Sequence, residues 1–366
     1  MSRYLVTLKP IDKFFFGGDM TFEIDGNDKH NKSFKSYIIE SSRFPQQTSL
    51  LGMMRFLLLR KSVYFSDNKI IDKDKAAKLI GEHSFQVKNS DEFGKIKSLS
   101  GCFIRDRYNH LDYAFAPFTQ DFSICDTDRL GSINGIEMHL PDIVGFTAKS
   151  GYTKYLLSII EGKRQMDEVF VADRRIGINR NISTGLTDEN ALYKQVSYRF
   201  KDFDKDDGVR VADYCFAFYV EVEDVNLMTS EYNGEVVSVG ADNSQFIINF
   251  EKDGTDNRPC TAGNNSIVLQ SPSYLTRDAL KHSSFFVTET IPFRFLETTV
   301  CKTDNYTVHS KTLKRSHKYE LYAPGSVFFF ESDDKMKDFI ANLTNVVDNK
   351  EINEFARIGF NEFSKK

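Results

Sequence analysis

The residues of this chain best equipped for chemistry are cations grouped with aromatics and nearly free of acids. Between Arg174 and Lys201 the cations Arg174, Arg175, Arg180, Lys194, Arg199 and Lys201 face only Asp188 and Glu189. Tyr193, Tyr198 and Phe200 are interleaved with them. Guanidinium and ammonium groups track a phosphate backbone while aromatic rings stack on bases, which is what single-stranded RNA requires. An apolar residue near the tip, Ile178 or Leu186, can wedge between bases. A solvated two-stranded ribbon has the same composition, so the segment nominates a surface and does not prove one.

A second group lies between Arg43 and Lys61, where Arg43, Arg55, Arg60 and Lys61 occur with no acidic residue. Pro45-Gln46-Gln47-Thr48-Ser49 precedes an apolar helical repeat of Leu50, Met53, Met54, Leu57 and Leu58. Free N–H groups at a helix start, flanked by polar side chains, make an anion site. An ordinary core helix capped by Thr48 or Ser49 reads the same way. A third, shorter basic stretch holds His309, Lys311, Lys314, Arg315, His317 and Lys318.

Other constellations carry less. Phe16-Gly17-Gly18-Asp19 has the look of a cyclase-like turn without a second acidic strand. Asp106, Arg107, Tyr108 and His110 are as consistent with a surface loop as with an acid–base pair. There is no GxxxxGK[ST], no GxSxG and no HExxH, which removes a P-loop, a hydrolase elbow and a zincin helix. Cys102, Cys125, Cys215, Cys260 and Cys301 never form C-x-x-C, so free thiols in a reducing cytoplasm are expected, with no metal and no cofactor.

The elements that must position these residues follow from pattern. Arg3–Leu8 reads as a strand, Gln46–Lys61 as a helix, Tyr113–Phe122 and Glu168–Ala172 as strands, and 152–161 as a short helix. Asp25–Lys35 reads as a loop, and 66–100 as a surface-exposed insertion with a helix near Lys75–Ile80. Residues 174–201 read as a hairpin turning at Asn181–Gly185. Val211–Val222, Gly234–Val239, Gln245–Phe250, Ile267–Leu269 and Ser326–Phe330 read as strands, and Lys335–Leu343 as a helix begun at Ser332. At 366 residues two domains are expected, divided at the acidic run beginning with Asp202 into 1–201 and 202–366. Each half combines strands with one or two helices, an α+β arrangement. With 48 basic and 52 acidic residues the net charge is −4, which excludes a uniformly positive nucleic-acid coat but not local basic patches. The longest apolar run, Leu50–Leu59, is half a membrane span and contains Arg55, and the start lacks a signal-peptide core; no membrane association is expected.

Taken in order, these segments resemble the third RAMP-superfamily subunit of type III-B CRISPR (Cmr) effector complexes. Leu8-Lys9-Pro10-Ile11-Asp12-Lys13-Phe14-Phe15-Phe16 resembles that family's first strand and its P-x-D-x-x-F-F continuation. Phe44 to Arg55 is similar to its P-x-P-(S/T)-x-x-G-x-x-R helix start. Arg175-Ile176-Gly177-Ile178 through Gly185 to Leu192-Tyr193 is similar to its central R-x-G-I, T-G, L-Y hairpin. Asn233-Gly234-Glu235, Pro272 and Tyr322-Ala323-Pro324-Gly325-Ser326-Val327 match later motifs, and Arg357-Ile358-Gly359-Phe360 stands for the RAMP glycine-rich loop.

The resemblance implies two tandem ferredoxin-like (RRM-like) domains with a protruding hairpin thumb and loop insertions. It implies binding of the 5′ handle of crRNA, docking on the large palm-domain subunit and on neighbouring backbone RAMP subunits, and only indirect contact with target RNA. Catalysis then belongs to the partners. Contacts are expected from Arg43, Gln46, Gln47, Thr48, Ser49 and Arg55 at the helix start. On the hairpin they are expected from Arg174, Arg175, Gly177, Ile178, Asn179, Arg180, Tyr193, Lys194 and Arg199. The competing expectation is a metal-independent endoribonuclease that trims precursor crRNA, with His30 as its acid or base.

Overall fold

The structure is a computed structural model, and it describes the chain apart from residues 18–19, 25–33, 88–92, 119–122, 126–129, 134–135, 140–141, 145–155, 160–161, 181–182, 185–186, 204–207, 260–265, 299–312, 345–348 and 366. Of the loop expected at Asp25–Lys35, residues 25–33 lie outside the described residues, as do most of the hairpin tip, His30, His309 and Lys311, while Phe34 and Lys35 begin the strand Phe34–Glu40.

The fold is mixed α+β, built mostly from antiparallel sheets with few helices. Its centre is a nine-stranded sheet in which Ser2–Pro10 lies between Tyr214–Val222 and Gln245–Lys252. Tyr214–Val222 is buried at every position but one, as expected of a strand covered on both faces. Beyond it lie Phe103–Asp106, Leu111–Phe115, Leu156–Ile159 and Gly162–Gln165, while Glu235–Ser238 closes the opposite edge.

The Gln47–Arg60 helix packs Leu50, Met54, Leu57 and Leu58 into the core shared with Val6, Leu8, Phe216, Phe218 and Phe246. A four-stranded sheet of Phe285–Val287, Val327–Phe329, Ser266–Leu269 and Phe363–Lys365 forms a second body of packing. Ile267, Leu269 and Phe328 meet Met336, Phe339 and Leu343 of the Asp333–Thr344 helix there. Among the described residues no helix is long and apolar enough to cross a membrane.

Several sequence expectations are corrected. Ser2–Pro10, from the half expected to be the first domain, takes both of its partners from beyond residue 202. Lys9 reaches Asp202 at 2.5 Å and Asp213 at 2.8 Å, so the start of the acidic run is tied to the first strand. Residues 66–100 are not only an exposed insertion. Their Lys73–Ile80 helix is present, but Phe85, Val87, Phe93, Ile96 and Leu99 are buried and Ile96–Leu99 pairs with Tyr214–Val222. The expected helix at 152–161 is instead a strand over Leu156–Ile159, paired on both edges by Leu111–Phe115 and Gly162–Gln165. Sheet pairing overrode a local pattern too short to choose between periods.

The Gln47–Arg60 helix is not capped by Thr48 or Ser49, which sit inside its first turn. Gln46 occupies the cap position with no side-chain bond. Glu168 belongs to a short Met166–Val169 helix, and the strand begins at Phe170.

Candidate nucleic-acid interface

The hairpin expected from sequence is present as Phe170–Arg180 and Thr187–Phe200. Their register sets Arg174 opposite Val196, Arg175 opposite Gln195, Ile176 opposite Lys194 and Gly177 opposite Tyr193, with an irregularity between Ile178 and Arg180 that spans Asn179. Thr187–Phe200 is then joined in parallel by Phe34–Glu40, and that strand by Met20–Ile24, so the hairpin is half of a four-stranded sheet.

An aromatic cluster fixes its root. Phe14 lies 5.6 Å from Phe200, 6.3 Å from Phe170 and 5.1 Å from Phe216 of the central sheet, centroid to centroid. Its backbone exchanges both hydrogen bonds with Tyr198, at 2.7 and 3.0 Å. Much of the phenylalanine content is therefore packing that aims the ribbon, with ring pairs in tilted or edge-on contact.

Away from the root the ribbon carries charge outward. Arg174, Arg175 and Arg199 are exposed, Lys194 is half-buried, and Ile176 among them is 74% exposed. Asp173 lies 3.9 Å from the Arg175 guanidinium and 3.4 Å from the Lys13 ammonium, both long for ion pairs.

The helix-start group comes next to this root, since Ser41 N–H donates to the Val196 carbonyl at 2.9 Å. Arg43 lies over the Tyr198 ring at 5.3 Å and donates to Asp167 at 2.7 Å. Tyr198 donates its hydroxyl to Glu40, and burial followed by that carboxylate pushes its pKa up. Gln46 is exposed, while Thr48 and Ser49 are half-buried.

Two residues expected to contact RNA are turned to other work. Gln47 is 3% exposed, with its Nε2 3.4 Å from the Gly359 carbonyl. Arg55 donates to the carbonyls of His83 at 2.7 Å and Gly81 at 3.1 Å, clamping the loop after the Lys73–Ile80 helix. Arg60 and Lys61 both bind Glu235, at 2.8 and 2.6 Å. The helix and its approach therefore offer fewer free cations than the sequence suggests, because Arg43, Arg55, Arg60 and Lys61 all satisfy carbonyls or carboxylates of the same chain.

Two other nominated clusters are structural too. Asp106 is fully buried and accepts from the backbones of Tyr108, Asn109 and Asp213, which makes it the organiser of a turn. The stretch Arg357–Phe360 packs inward, with Ile358 and Phe360 buried. Lys314 and Arg315 fall on a strand, Leu313–Arg315, paired with Leu296–Thr298.

Sequence reasoning missed one feature. A cleft of about 240 Å³ lies where the ribbon root, the 11–15 segment and the 242–245 turn meet. Arg175, Gln195 and Ser197 line it from the ribbon, Lys13 from the first loop, and Asp242 and Ser244 from the turn. The only signal was the P-x-D-x-x-F-F segment itself, read there as a motif rather than as a wall.

The mixed α+β body of antiparallel sheets has solved counterparts. Over 99% of this chain and 96% of the other, it is similar to a chain of the type III-B Cmr-β bound to cognate target RNA, at 14% identity and a TM-score of 0.50. A chain of the same assembly bound to cognate target RNA and AMPPnP, in its state 1, gives 13% identity and a TM-score of 0.50 over the same shares. The family model for CRISPR-associated protein (Cas_Cmr3) matches residues 6–364, and this chain belongs to that family. A search of the curated proteins found no match.

Proposed function

We propose that this chain is a non-catalytic, cytoplasmic RNA-binding subunit of a type III-B CRISPR ribonucleoprotein. In this reading it holds the 5′ handle of crRNA and docks on the large palm-domain subunit and on neighbouring backbone RAMP subunits, meeting target RNA only indirectly. Its sheets are read as two ferredoxin-like units that share strands across the chain. Membership of the Cmr3 family supports the reading, as does the binding of target RNA by the Cmr-β assembly that the fold resembles.

The observation that carries it is the ribbon: Arg174, Arg175 and Arg199 exposed on an element whose root is fixed by Phe14, Phe170 and Phe200. Rigid placement of exposed guanidinium groups favours phosphate without the ordering cost that a mobile loop incurs. Guide sequence is read by base pairing, so a protein holding a constant segment needs shape, phosphate contacts and few base contacts.

The test is the double variant Arg175→Ala, Arg199→Ala in the assembled particle. Retention of guide RNA is expected to weaken by roughly 1–3 kcal/mol, and the slope of log affinity against log salt to fall by about 2. Identical retention across salt would remove the ribbon from RNA binding. Incubating the purified chain with precursor RNA and EDTA tests the non-catalytic part, with no cleavage expected.

A further inference from the structure

A second ribbon, which the proposed function leaves unused, carries cations on one face and aromatics on the other. Its arms are Thr290–Phe293 with Leu296–Thr298, and Leu313–Arg315 with Tyr319–Tyr322. We infer that its outer face docks an acidic segment of a neighbouring protein subunit, an inference that rests on reading the chain as one subunit of a larger assembly.

The register explains the division of faces. Phe293 stands opposite Tyr319 and Leu296 opposite Arg315, so Arg294 and Phe295 on one arm face Ser316, His317 and Lys318 on the other. An extra residue on one arm is a β-bulge, which re-aims the side chains around it. His317 and Lys318 are in consequence both exposed, beside exposed Arg294 and Arg315. The buried Ser316 hydroxyl fixes the bulge, accepting from Phe295 N–H at 3.0 Å and donating to the His317 carbonyl at 2.8 Å. Phe293, Phe295 and Tyr319 are buried on the inner face, where Phe295 meets Phe85 at 5.0 Å and Tyr319 meets Phe355 at 5.2 Å. The cations therefore stand on a fixed platform, which spares a partner the cost of ordering it.

Charge and shape select the occupant. Among the described residues no ion pair holds Arg294 or Arg315, and Lys318 reaches Glu320 only at 3.8 Å. Uncompensated cations on a rigid face complement carboxylates across an interface. Pro292 and Leu296 are exposed on the same face, Leu296 by 56%, and supply apolar area beside the arginines, a residue type that protein interfaces enrich. RNA is disfavoured, because Phe293, Phe295 and Tyr319 face inward and offer bases no platform. Among the described residues the ring left on the outer face is that of His317, which already rests edge-on against Tyr319 at 5.6 Å. Glu320, exposed on this face too, opposes a phosphate.

The experiment uses the assembled particle carrying the full chain. A carbodiimide is expected to join Lys318 to Asp or Glu side chains of one protein neighbour. The variant Arg294→Glu, Arg315→Glu is expected to weaken binding of that neighbour about tenfold, more at low salt, while guide RNA stays on the ribbon of Arg175 and Arg199. Replacing the crosslinked carboxylates of the neighbour by lysine should restore binding to the variant. Absence of such crosslinks with assembly unchanged overturns the docking face. Crosslinks from thionucleoside-substituted RNA to Arg294, Arg315 or Lys318 overturn it as well, since the face would then belong to RNA. If the variant does not fold, the crosslinks on the parent decide. An Arg175→Ala, Arg199→Ala particle that keeps its RNA removes the first ribbon from RNA binding and leaves this face standing, so the two readings fail separately.

Discussion

Gly359 shows how a residue can bear a family motif and still act as packing. Its φ is +91°, and a Cβ built there would stand 2.3 Å from the Ser100 carbonyl carbon. Backbone meets backbone at that point, so no rotamer change relieves the clash. The substitution Gly359→Ala is expected to destabilise the chain by roughly 2 kcal/mol or more. Chemical denaturation should show the loss, with RNA affinity of the folded fraction unchanged. Gln47, which reaches the Gly359 carbonyl, belongs to the same contact. What reads in sequence as the start of an anion site and the remnant of a glycine loop is therefore one buried junction. Composition could not reveal this, because the two segments lie more than 300 residues apart, as the Gln47–Gly359 separation of 312 shows.

At the scale of elements, the ribbon is an extension of the core and not an appendage on a tether. Its first strand starts at Phe170 and its second ends at Phe200, and both rings pack on Phe14 and Phe216. Replacing Phe14 by Leu leaves a void at the point where loop, ribbon and central sheet meet. A cost of about 1–2 kcal/mol is expected. Amide exchange in the ribbon root should accelerate more than in the Ser266–Leu269 sheet, whose core contains none of these rings. Equal acceleration in both would mean that the cluster stabilises the molecule globally without aiming the ribbon. The arms and cations of the hairpin were legible from sequence, since alternation and turn residues are local signals. Its parallel partner Phe34–Glu40 was not, because parallel pairing leaves no mark in the intervening chain.

For the whole molecule, the start of the acidic run that looks like a linker is part of the junction between the first strand and the middle of the chain. Asp202 accepts from the Tyr214 backbone at 3.0 Å, and Lys9 bridges it to Asp213. Arg107 adds a contact to Asp213 at 2.8 Å. Burial works against the Asp213 carboxylate, but Lys9 and then Arg107 outweigh it and hold its pKa below the ordinary 3.8. A depressed carboxylate contributes stability that is present above its unfolded pKa and lost as pH falls through the folded one. The variant Asp213→Asn should therefore be less stable than the parent by roughly 1–2 kcal/mol near neutrality. The difference should shrink as the pH drops below 3.8. Melting curves between neutral pH and pH 3 would check it; a gap that persists in acid would mean that Asp213 contributes by geometry and not by charge.

The sequence by itself determined the local matters: where the Gln47–Arg60, Lys73–Ile80 and Asp333–Thr344 helices and the strands Ser2–Pro10, Tyr214–Val222 and Gln245–Lys252 run, which ribbon carries the arginines, and which family the motif order resembles. Each of these depends on neighbours within a few residues, or on short motifs that survive as text. Only the tertiary structure decided which cations remain exposed. Arg55, Arg60 and Lys61 read as equals of Arg174 and Arg175 until the fold supplies carbonyls and Glu235 to the first three. It alone assembled the cleft, whose walls come from residues 11–15, from Arg175, Gln195 and Ser197, and from residues 242–245. The physical reason is the same in both cases: partners and cavities arise from pairings between distant strands, and strand pairing is the least local interaction the chain makes.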